Sequence, residues 1–416
     1  MARSDDDAIN AKIARRGALN REFTPSTPVS RRAAFSGRIE QIMRITAAVA
    51  QPGRHVVLYG ERGVGKTSLA NVLSELLVPT ETDFREFAVR INCTVDDTFE
   101  SIWRRVFDEL SLDESLRPAK FDTLNPDQLR RILANVKPPM VIVLDEYDRV
   151  EDDSALSLMA DTIKALSDHA VETKLVIVGV ADSIESLVGE HESIRRAIEE
   201  VPMPRMSGGE LRELVTKGFE AAEIAIDPDA AERIVRLAEG LPSYAHLLSL
   251  KSGERVLADD RLRVTLADVI KSTEAVVESA VSNRIDYHKA IRSSRPENLY
   301  PQVLAACALA KKDRLGYFTA KAVVEPMSKI MGKPYNIPAF SRHLSSFVDE
   351  ERGCVLQRQG AKGRYTYRFR DPMMQPFAIL AAIAGALLPD AYQHELFEAD
   401  RIGEDWDSAA RGLADD

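Results

Sequence analysis

The sequence has few cysteines, no paired cysteine spacing and no long apolar segment. Its cysteines, Cys93, Cys307 and Cys354, are scattered along 416 residues, which is not the spacing of a disulfide framework or of a zinc site. The longest apolar run, residues 377–388, is shorter than the ~20 residues that span a bilayer and instead predicts a buried helix. No apolar stretch opens the chain, so no secretory signal is expected. We expect a cytoplasmic protein with no membrane partner.

Internal repeats and low-complexity tracts are also lacking, and outside one region the acidic residues outnumber the basic ones. The net charge is −10, yet residues 300–370 contain 13 Lys or Arg against 5 Asp or Glu. Such asymmetry is typical of an acidic body that carries one module facing a polyanion. The alternative, that these basic residues only solvate a small domain, fits the count equally well.

The pattern of apolar residues divides the chain into five segments. Residues 1–35 are polar and are interpreted as an N-terminal polar arm, not an independent domain. In residues 36–207 short β-branched runs alternate with helical patterns, which predicts a parallel α/β sheet. Residues 208–297 show helical periodicity alone and predict a helical lid. Residues 298–390 carry three helical stretches and two alternating strands, the order of a winged helix-turn-helix, and 391–416 form an acidic C-terminal tail.

Strands are expected at the short apolar runs of the α/β segment. The runs "VIVL" and "LVIV" do not alternate, which is typical of strands buried on both faces of a sheet. The predicted strands are 55–60, 86–93, 140–146, 174–181 and 200–203.

A glycine-rich motif follows the first of these strands. "GERGVGKT", residues 60–67, fits G-x-x-x-x-G-K-[ST] between an apolar strand and a helical pattern. Its glycines allow successive backbone N–H groups to curl around phosphate oxygens, assisted by the helix N-terminus. Lys66 should neutralise the β- and γ-phosphates of a nucleotide, and the Thr67 hydroxyl should bind Mg²⁺. The predicted cradle consists of Gly60, Glu61, Arg62, Gly63, Val64, Gly65, Lys66, Thr67 and Ser68.

The run "VIVLDEYD" predicts the second half of a nucleotide site. A carboxylate at the end of a buried strand is costly unless it is paired or lies near a metal, so Asp145 is expected to hold Mg²⁺ through water. Glu146 is then placed to orient and deprotonate an attacking water. A pair of acidic residues at a solvated strand end is the alternative. Because a binding module needs no base, the pair favours hydrolysis.

Three further polar residues are candidates for the γ-phosphate. Asp182 follows the fourth predicted strand, although a plain turn residue explains it equally well. Arg195 and Arg196 precede the last strand, and an arginine, often from a neighbouring subunit, stabilises a transferring phosphoryl group. An exposed helical pair is the alternative for these two.

Together these motifs resemble the AAA+ class of P-loop ATPases, and more narrowly bacterial members similar to origin-recognition-type initiators and transposition-accessory ATPases. The resemblance covers about residues 23–375. It implies an ASCE-type α/β P-loop NTPase domain followed by a helical lid and a C-terminal winged helix, with ATP and Mg²⁺ as cofactors and homo-oligomers formed on ATP binding. "FSGRIEQI", residues 35–42, resembles the Gly-Arg box, which implies that Gly37 and Arg38 lie close to the adenine.

The resemblance also assigns the Walker and sensor positions. Walker A falls on residues 60–67 and Walker B on Asp145 and Glu146. Sensor 1 falls on Asp182, where the family more often has Asn, Ser or Thr.

The lid departs from the resemblance. "EGLPSYAHLL", residues 239–248, lacks the arginine of sensor 2, and Gly240-Leu241-Pro242 resembles the Gly-x-Pro of the signalling (STAND) ATPases. That likeness implies that Pro242 packs against the nucleotide base. His246, one helical turn later, could approach phosphate or face the core. The alternative function is therefore a signalling or defence switch whose winged helix mediates protein interaction or autoinhibition.

The last predicted hairpin has one aromatic and one basic face. In "RYTYRFR" the aromatics 365, 367 and 369 alternate with Arg364, Arg368 and Arg370. With Arg358 on the partner strand and Lys362 at the turn, the arginines predict a strip that contacts the phosphates of double-stranded DNA. The preceding helix would face the groove, with Asn336 and Arg342 as its base readers. A protein partner for the winged helix is the alternative.

Overall fold

The computed structural model describes residues 2–28, 37–76, 88–110, 118, 123–137, 140–181, 192–294, 298–313, 316–361 and 363–397. They form two compact units, one built from residues 28–204 and the other from 1–27 together with 205 onward. The N-terminal segment thus belongs to the same unit as the lid and the winged helix. The boundaries at 207/208, 297/298 and 390/391 stay predictions.

The chain begins with helix α1, Ala2–Glu22, in the segment for which we expected only a polar arm. The remaining helices of the first 204 residues surround one sheet. They are α2 Ile39–Val49, α3 Lys66–Leu76, α4 Phe99–Glu109, α5 Pro126–Asn135, α6 Asp153–Asp168 and α7 Glu192–Arg195. The strands are β1 His55–Gly60, β2 Ala88–Asn92, β3 Val141–Asp145, β4 Lys174–Val180 and β5 Ile198–Pro202.

The five strands are all parallel and lie in the spatial order β2-β3-β4-β1-β5. This is the order of the ASCE-type α/β P-loop fold, in which β4 separates the phosphate-loop strand from the strand with the acidic pair. Ile142, Val143 and Leu144 of β3 are buried, as are Leu175 to Val178 of β4. The continuous apolar runs are therefore buried on both faces of the sheet. Because the strands are parallel, the residues that follow β1, β3 and β4 meet at one edge.

The lid consists of helices with a two-stranded ribbon. Its helices are α8 Gly208–Ala221, α9 Pro228–Leu237, α10 Pro242–Ala258, α11 Leu266–Ser279 and α12 Val281–Ile291. Its strands, β6 Ala225–Ile226 and β7 Arg263–Val264, pair in parallel. Ser207 and Glu210 form a reciprocal capping box that begins α8, which is why the helix starts at the Gly-Gly pair of residues 208 and 209.

The last segment has the arrangement of a winged helix-turn-helix. Its elements are α13 Tyr300–Leu309, β8 Phe318–Thr319, α14 Val324–Met331, α15 Ile337–Ser346, β9 Leu356–Gln359, β10 Thr366–Phe369, α16 Met374–Ala384 and α17 Asp390–Phe397. The hairpin β9–β10 gains β8 as a third antiparallel strand, so that β10 is central. Helices α14 and α15 both pack on α13.

Helix α16 is the buried C-terminal helix that the apolar run predicted. It packs on α13 of the winged helix and equally on α11 of the lid, and Phe377, Ala378 and Leu380 are fully buried. Among the described residues no helix is both long and apolar enough to span a membrane.

Helix α1 is attached to the lid by its last turn. Leu19 and Phe23 are buried where two helices carry glycine: a Cβ on Gly253 would lie 2.6 Å from a Leu19 methyl, and one on Gly218 would lie 2.5 Å from Phe23 Cζ. The Phe23 ring centroid is 4.8 Å from that of Phe219. A seam of two apolar residues is too short to show periodicity, which explains why the sequence pattern missed this helix.

His246 closes the same contact and faces the core. Its ring lies edge-on to Phe23 with centroids 5.9 Å apart, and its Nδ1 accepts a hydrogen bond from the Thr24 N–H at 3.3 Å. Burial lowers the pKa of His246 to about 4. Of the two roles considered for this histidine, the structure favours the one in the core.

Candidate functional site

The phosphate loop lies between β1 and α3 at the carboxyl edge of the sheet. Gly60, Gly63 and Gly65 have φ of 152°, 85° and 94°, a region that favours glycine. Val64, between the last two, is buried. The three glycines thus give the loop its curvature, as the motif predicted.

Gly60 has a second reason to be glycine. A Cβ at this position would lie 2.4 Å from the Met203 carbonyl oxygen, and the neighbouring Met203 N–H donates to the Tyr59 carbonyl at 2.7 Å. The start of the loop is therefore pressed against the chain that leaves β5.

Gly60→Ala is expected to weaken ATP binding by at least about tenfold, because either the loop or the Met203 backbone must move and a shift of about 1 Å at a site is costly. ATP titration by calorimetry measures the effect. Gly332→Ala is the matched control, since this glycine also has positive φ but no atom within 4 Å of a built Cβ. Equal affinities in the Gly60 variant and the wild type would contradict the prediction.

Lys66 is folded against its own loop. Its side chain is buried, and its Nζ donates to the carbonyls of Gly60 at 3.0 Å and Glu61 at 2.8 Å. Burial lowers the pKa of Lys66 to about 8, against the opposing effects of Asp148, Asp145 and Glu61. The ammonium therefore stays mainly protonated at neutral pH, as charge neutralisation requires.

Asp148 is a member of this group that sequence reasoning missed. Its Oδ1 accepts the Val180 N–H at 2.8 Å, which ties the short turn after β3 to the end of β4. The signal was present as the second aspartate of "DEYD". Of the carboxylates that raise the pKa of Lys66, Asp148 has the largest effect, so it contributes negative charge to the site.

Asp145 ends β3 and is 2% exposed. Its Oδ1 accepts the Glu146 N–H at 2.8 Å, and its Oδ2 accepts from Arg90 at 2.6 Å. Arg90 lies on β2 and also contacts Asn71 of α3. This ion pair compensates the buried carboxylate. A charged residue within a strand was the only signal for Arg90, and we did not predict its role.

Glu146 turns out of the sheet directly after β3. Its φ of 55° is left-handed, which is uncommon for a residue other than glycine and often marks a functional site. The side chain is exposed and pairs with Arg149 at 3.0 Å. The carboxylate thus lies at the mouth of the site, where it can reach water.

The Gly-Arg box is also left-handed, with φ of 74° at Gly37 and 63° at Arg38. Arg38 precedes α2 and is 3% exposed. Its Nη2 donates to the carbonyls of Val64 at 3.0 Å and Pro204 at 2.7 Å. The resemblance implied proximity to adenine, and these two hydrogen bonds are with the phosphate loop and with the segment that follows β5.

Two of the three residues predicted to contact the γ-phosphate, Arg195 and Arg196, lie among the described residues. Arg195 ends α7 and Arg196 follows it, both with exposed side chains, and Arg196 pairs with Asp168 at 2.7 Å. Asp182 lies outside the described residues.

The Gly-x-Pro motif begins α10 of the lid. Gly240 has φ of 78°, and a Cβ there would lie 2.7 Å from the Arg205 Cβ. Pro242 occupies the first turn of α10, where its missing N–H costs nothing. Two residues on, the Tyr244 hydroxyl donates to the Met373 carbonyl at 2.9 Å.

A second link joins this motif to the same segment. Gln375 of α16 donates to Glu239 at 2.7 Å and accepts from Arg205 at 2.8 Å. The two residues that flank the lid motif, Tyr244 and Glu239, are therefore hydrogen-bonded to Met373 and Gln375, which lie within the six residues that follow the wing strand β10.

One of the three arginines on the basic face of β10 packs against an aromatic ring. Arg364 and Arg370 are exposed, whereas Arg368 is half-buried with its guanidinium 4.8 Å from the Tyr317 ring centroid. On the opposite face Tyr367 and Phe369 are buried, as the alternation predicted.

Arg358 does not share the basic face, and this part of the predicted strip is wrong. The register places it opposite Tyr367, and its guanidinium lies 4.4 Å from the Tyr365 ring centroid. Because side chains alternate with a period of two, pairing with an aromatic position puts Arg358 on the aromatic face, where it is exposed. Lys362 lies outside the described residues.

Helix α15 presents an exposed polar surface beside this hairpin. Phe340 and Leu344 are buried, while Asn336, Ser341 and Arg342 are exposed. The predicted base readers are thus on the outer face of the helix.

The residues present fit a nucleotide with its metal. Three positive-φ glycines curve the loop, Lys66 lies within it, and Thr67 occupies the first turn of α3. Mg²⁺ usually keeps several waters and takes one or two protein ligands together with phosphate oxygens, a set that Thr67 and Asp145 complete.

Comparison with known proteins supports the same class. Residues 49–188 match a family model described as an AAA domain. The fold is similar to that of the Walker-type ATPase of Pyrococcus abyssi, with a TM-score of 0.52 and 15% identity over 85% of this chain and 98% of that chain. The Orc1 protein of Aeropyrum pernix, solved in complex with DNA, gives a TM-score of 0.48 at 15% identity over 92% of this chain and 98% of its own. Cdc6p of Pyrobaculum aerophilum gives 0.48 at 16% identity over 89% and 99%. By the match over residues 49–188 and the strand order, this chain carries an α/β P-loop domain of the AAA+ fold.

Proposed function

We propose that the chain binds ATP with Mg²⁺ and hydrolyses it, that its nucleotide state controls assembly or conformation, and that its winged helix engages double-stranded DNA. The observation that carries the proposal is the meeting of three features at one sheet edge: the glycine cradle, the buried Lys66, and the Asp145-Glu146 pair after β3. A module that only binds nucleotide has no use for an exposed carboxylate beside the cradle.

In this proposal each residue has one task. The cradle N–H groups and Lys66 hold the β- and γ-phosphates, and Thr67 and Asp145 hold Mg²⁺, which neutralises charge that develops on the phosphates. Glu146 orients a water and accepts its proton as the water attacks the γ-phosphorus. Asp182, two residues after the end of β4 in the sequence, is proposed as the sensor of the γ-phosphate.

Arg195 or Arg196 is proposed to complete the site of a neighbouring copy. The exposed position of both side chains after α7 supports action between subunits, and the ion pair of Arg196 with Asp168 is a surface pair of small energy that can be exchanged. ATP binding would therefore favour a homo-oligomer. Gly37 is proposed to lie near the base.

The exposed arginines of the wing support DNA as a partner. Arg364 and Arg370 lie at the two ends of β10, and Arg342 projects from α15. Such contacts position a protein on the phosphates, and only Arg342 and Asn336 offer readout of bases.

The full chain is expected to bind duplex DNA with a steep salt dependence. Four or five phosphate contacts predict a slope of about −4 in log K against log salt, and Arg364→Ala combined with Arg370→Ala should reduce it by about 2. Fluorescence anisotropy at several salt concentrations measures the slope. The whole chain is used because α16 packs on the lid.

Arg131→Ala is the matched control, since Arg131 is an exposed arginine on α5, outside the wing, that pairs with Asp127 of its own helix. A flat salt dependence in the wild type would remove DNA from the proposal and leave the ATPase function intact.

A second candidate is a signalling switch that holds its winged helix closed until a partner arrives. The hydrogen bonds of Tyr244 and Glu239 to the segment after β10 favour it, because they tie the Gly-x-Pro motif to the wing. The same titration separates the two, since a switch of this kind predicts no salt-dependent DNA binding.

A further inference from the structure

Arg38 joins two segments that lie far apart in sequence. A single nitrogen, Nη2, donates to Val64 O within the phosphate loop and to Pro204 O after β5, at 3.0 and 2.7 Å. A buried guanidinium is expensive to desolvate unless it is hydrogen-bonded. These two carbonyl contacts therefore hold the side chain, and the side chain holds both segments.

The contact with Val64 fixes the direction of a peptide group. In a trans peptide the C=O and the following N–H point in opposite directions. With Val64 O held by Arg38, the Gly65 N–H must point to the opposite side of the loop. Gly65 has φ of 94°, and Lys66 follows it at the start of α3, so this N–H belongs to the set that the cradle offers to phosphate.

The two hydrogen bonds of Arg38 form a clamp between the phosphate loop and the segment after β5. The contact with Pro204 is the fixed end of this clamp. The adjacent Met203 is held by the Tyr59 carbonyl at 2.7 Å and presses on Gly60. The segment 203–204 therefore supports the loop at two points, directly at Gly60 and through Arg38 at Val64.

We infer that Arg38 is a positioning residue for the triphosphate: it preorganises the phosphate loop by fixing the Val64–Gly65 peptide against segment 203–204. The inference rests on the proposed nucleotide binding and assigns this arginine to the phosphates of the ligand, not to its base. Preorganised N–H groups cost no reorganisation when the anion binds, so loss of the clamp should appear in affinity for any polyphosphate.

The test compares ligands with and without a base. ATP, GTP and inorganic tripolyphosphate are titrated into wild type, Arg38→Met and Arg38→Lys in competition with a fluorescent ATP analogue. Arg38→Met should weaken ATP and tripolyphosphate by the same factor, about tenfold or more, and leave the ratio of ATP to GTP affinity unchanged. Arg38→Lys should lie between, because an ammonium can donate to both carbonyls but lacks the planar fork.

Arg54→Met is the matched control. Arg54 belongs to the same unit and pairs with Glu199 at 2.6 Å, which Arg44 also holds at 2.7 Å, so all three affinities should match the wild type. The melting temperature of each variant establishes that it is folded. If the Arg38→Met variant is unfolded, the affinities of the Arg38→Lys variant decide the case.

Two outcomes would overturn the inference. Loss of ATP affinity with tripolyphosphate affinity retained would place Arg38 at the base, and unchanged affinity for all ligands would show that the loop needs no clamp. A wild type that binds neither ATP nor tripolyphosphate would instead sink the proposed function itself.

Discussion

Glu146→Gln is expected to lower kcat for ATP by about a hundredfold or more, the contribution typical of a general base, while ATP affinity stays within about twofold. The amide keeps the shape and the left-handed turn after β3 but cannot accept a proton. It also loses the charge that pairs with Arg149 at 3.0 Å, a pair that is exposed and therefore of small energy.

Phosphate release under saturating ATP gives kcat, and a separate ATP titration gives the affinity. Glu151→Gln is the matched control, because Glu151 is an exposed glutamate five residues further on that the site does not use. If the Glu146 variant turned ATP over at the wild-type rate, this residue would lose its assigned role, and another group would have to act as base.

Phe23→Ala is expected to detach α1 from the lid. A buried phenylalanine replaced by alanine costs about 3–5 kcal/mol in a core that cannot collapse, and here the ring fills the space left by Gly218 and packs on Phe219 and His246. Amides of α8 and α10 should exchange faster with solvent, because local opening becomes easier.

Hydrogen exchange followed by mass spectrometry resolves this by helix. Peptides from α4, in the other compact unit, serve as an internal reference and should not change. Ile13→Ala is the control variant, since Ile13 is an apolar residue of α1 that is 63% exposed. Unchanged exchange in α8 and α10 of the Phe23 variant would show that α1 contributes little to the lid.

Two kinds of feature could be predicted from the sequence: strands with a clear apolar pattern, and site motifs whose residues are adjacent in the chain. The strands β3 and β4 could be recognised as continuous apolar runs, which are typical of strands buried on both faces of a sheet. The phosphate loop and the acidic pair are local: their residues are adjacent in sequence, and glycine spacing alone restricts the backbone. The resemblance then implied an ASCE-type α/β P-loop fold, and the structure has the strand order of that fold.

Contacts between distant residues could not be predicted in the same way. Arg90 meets Asp145 across a strand pair, and Arg38 meets Pro204 over 166 positions; no periodicity encodes either contact. Helix α1 was not predicted because, from residue 12 to the end of the helix, Leu19 alone is buried, with Phe23 directly after the helix. Arg358 was assigned to the wrong face because the register of a hairpin depends on its turn, and a shift of one residue turns every side chain over.

Helix α16 has a consequence for how such a chain can be altered in evolution or in the laboratory. It packs on α13 of the winged helix and on α11 of the lid. It also begins within five residues of the end of β10. Exchange of the wing for an unrelated module would leave α11 with an uncovered apolar surface. Any replacement must therefore bring a helix that covers this surface of the lid.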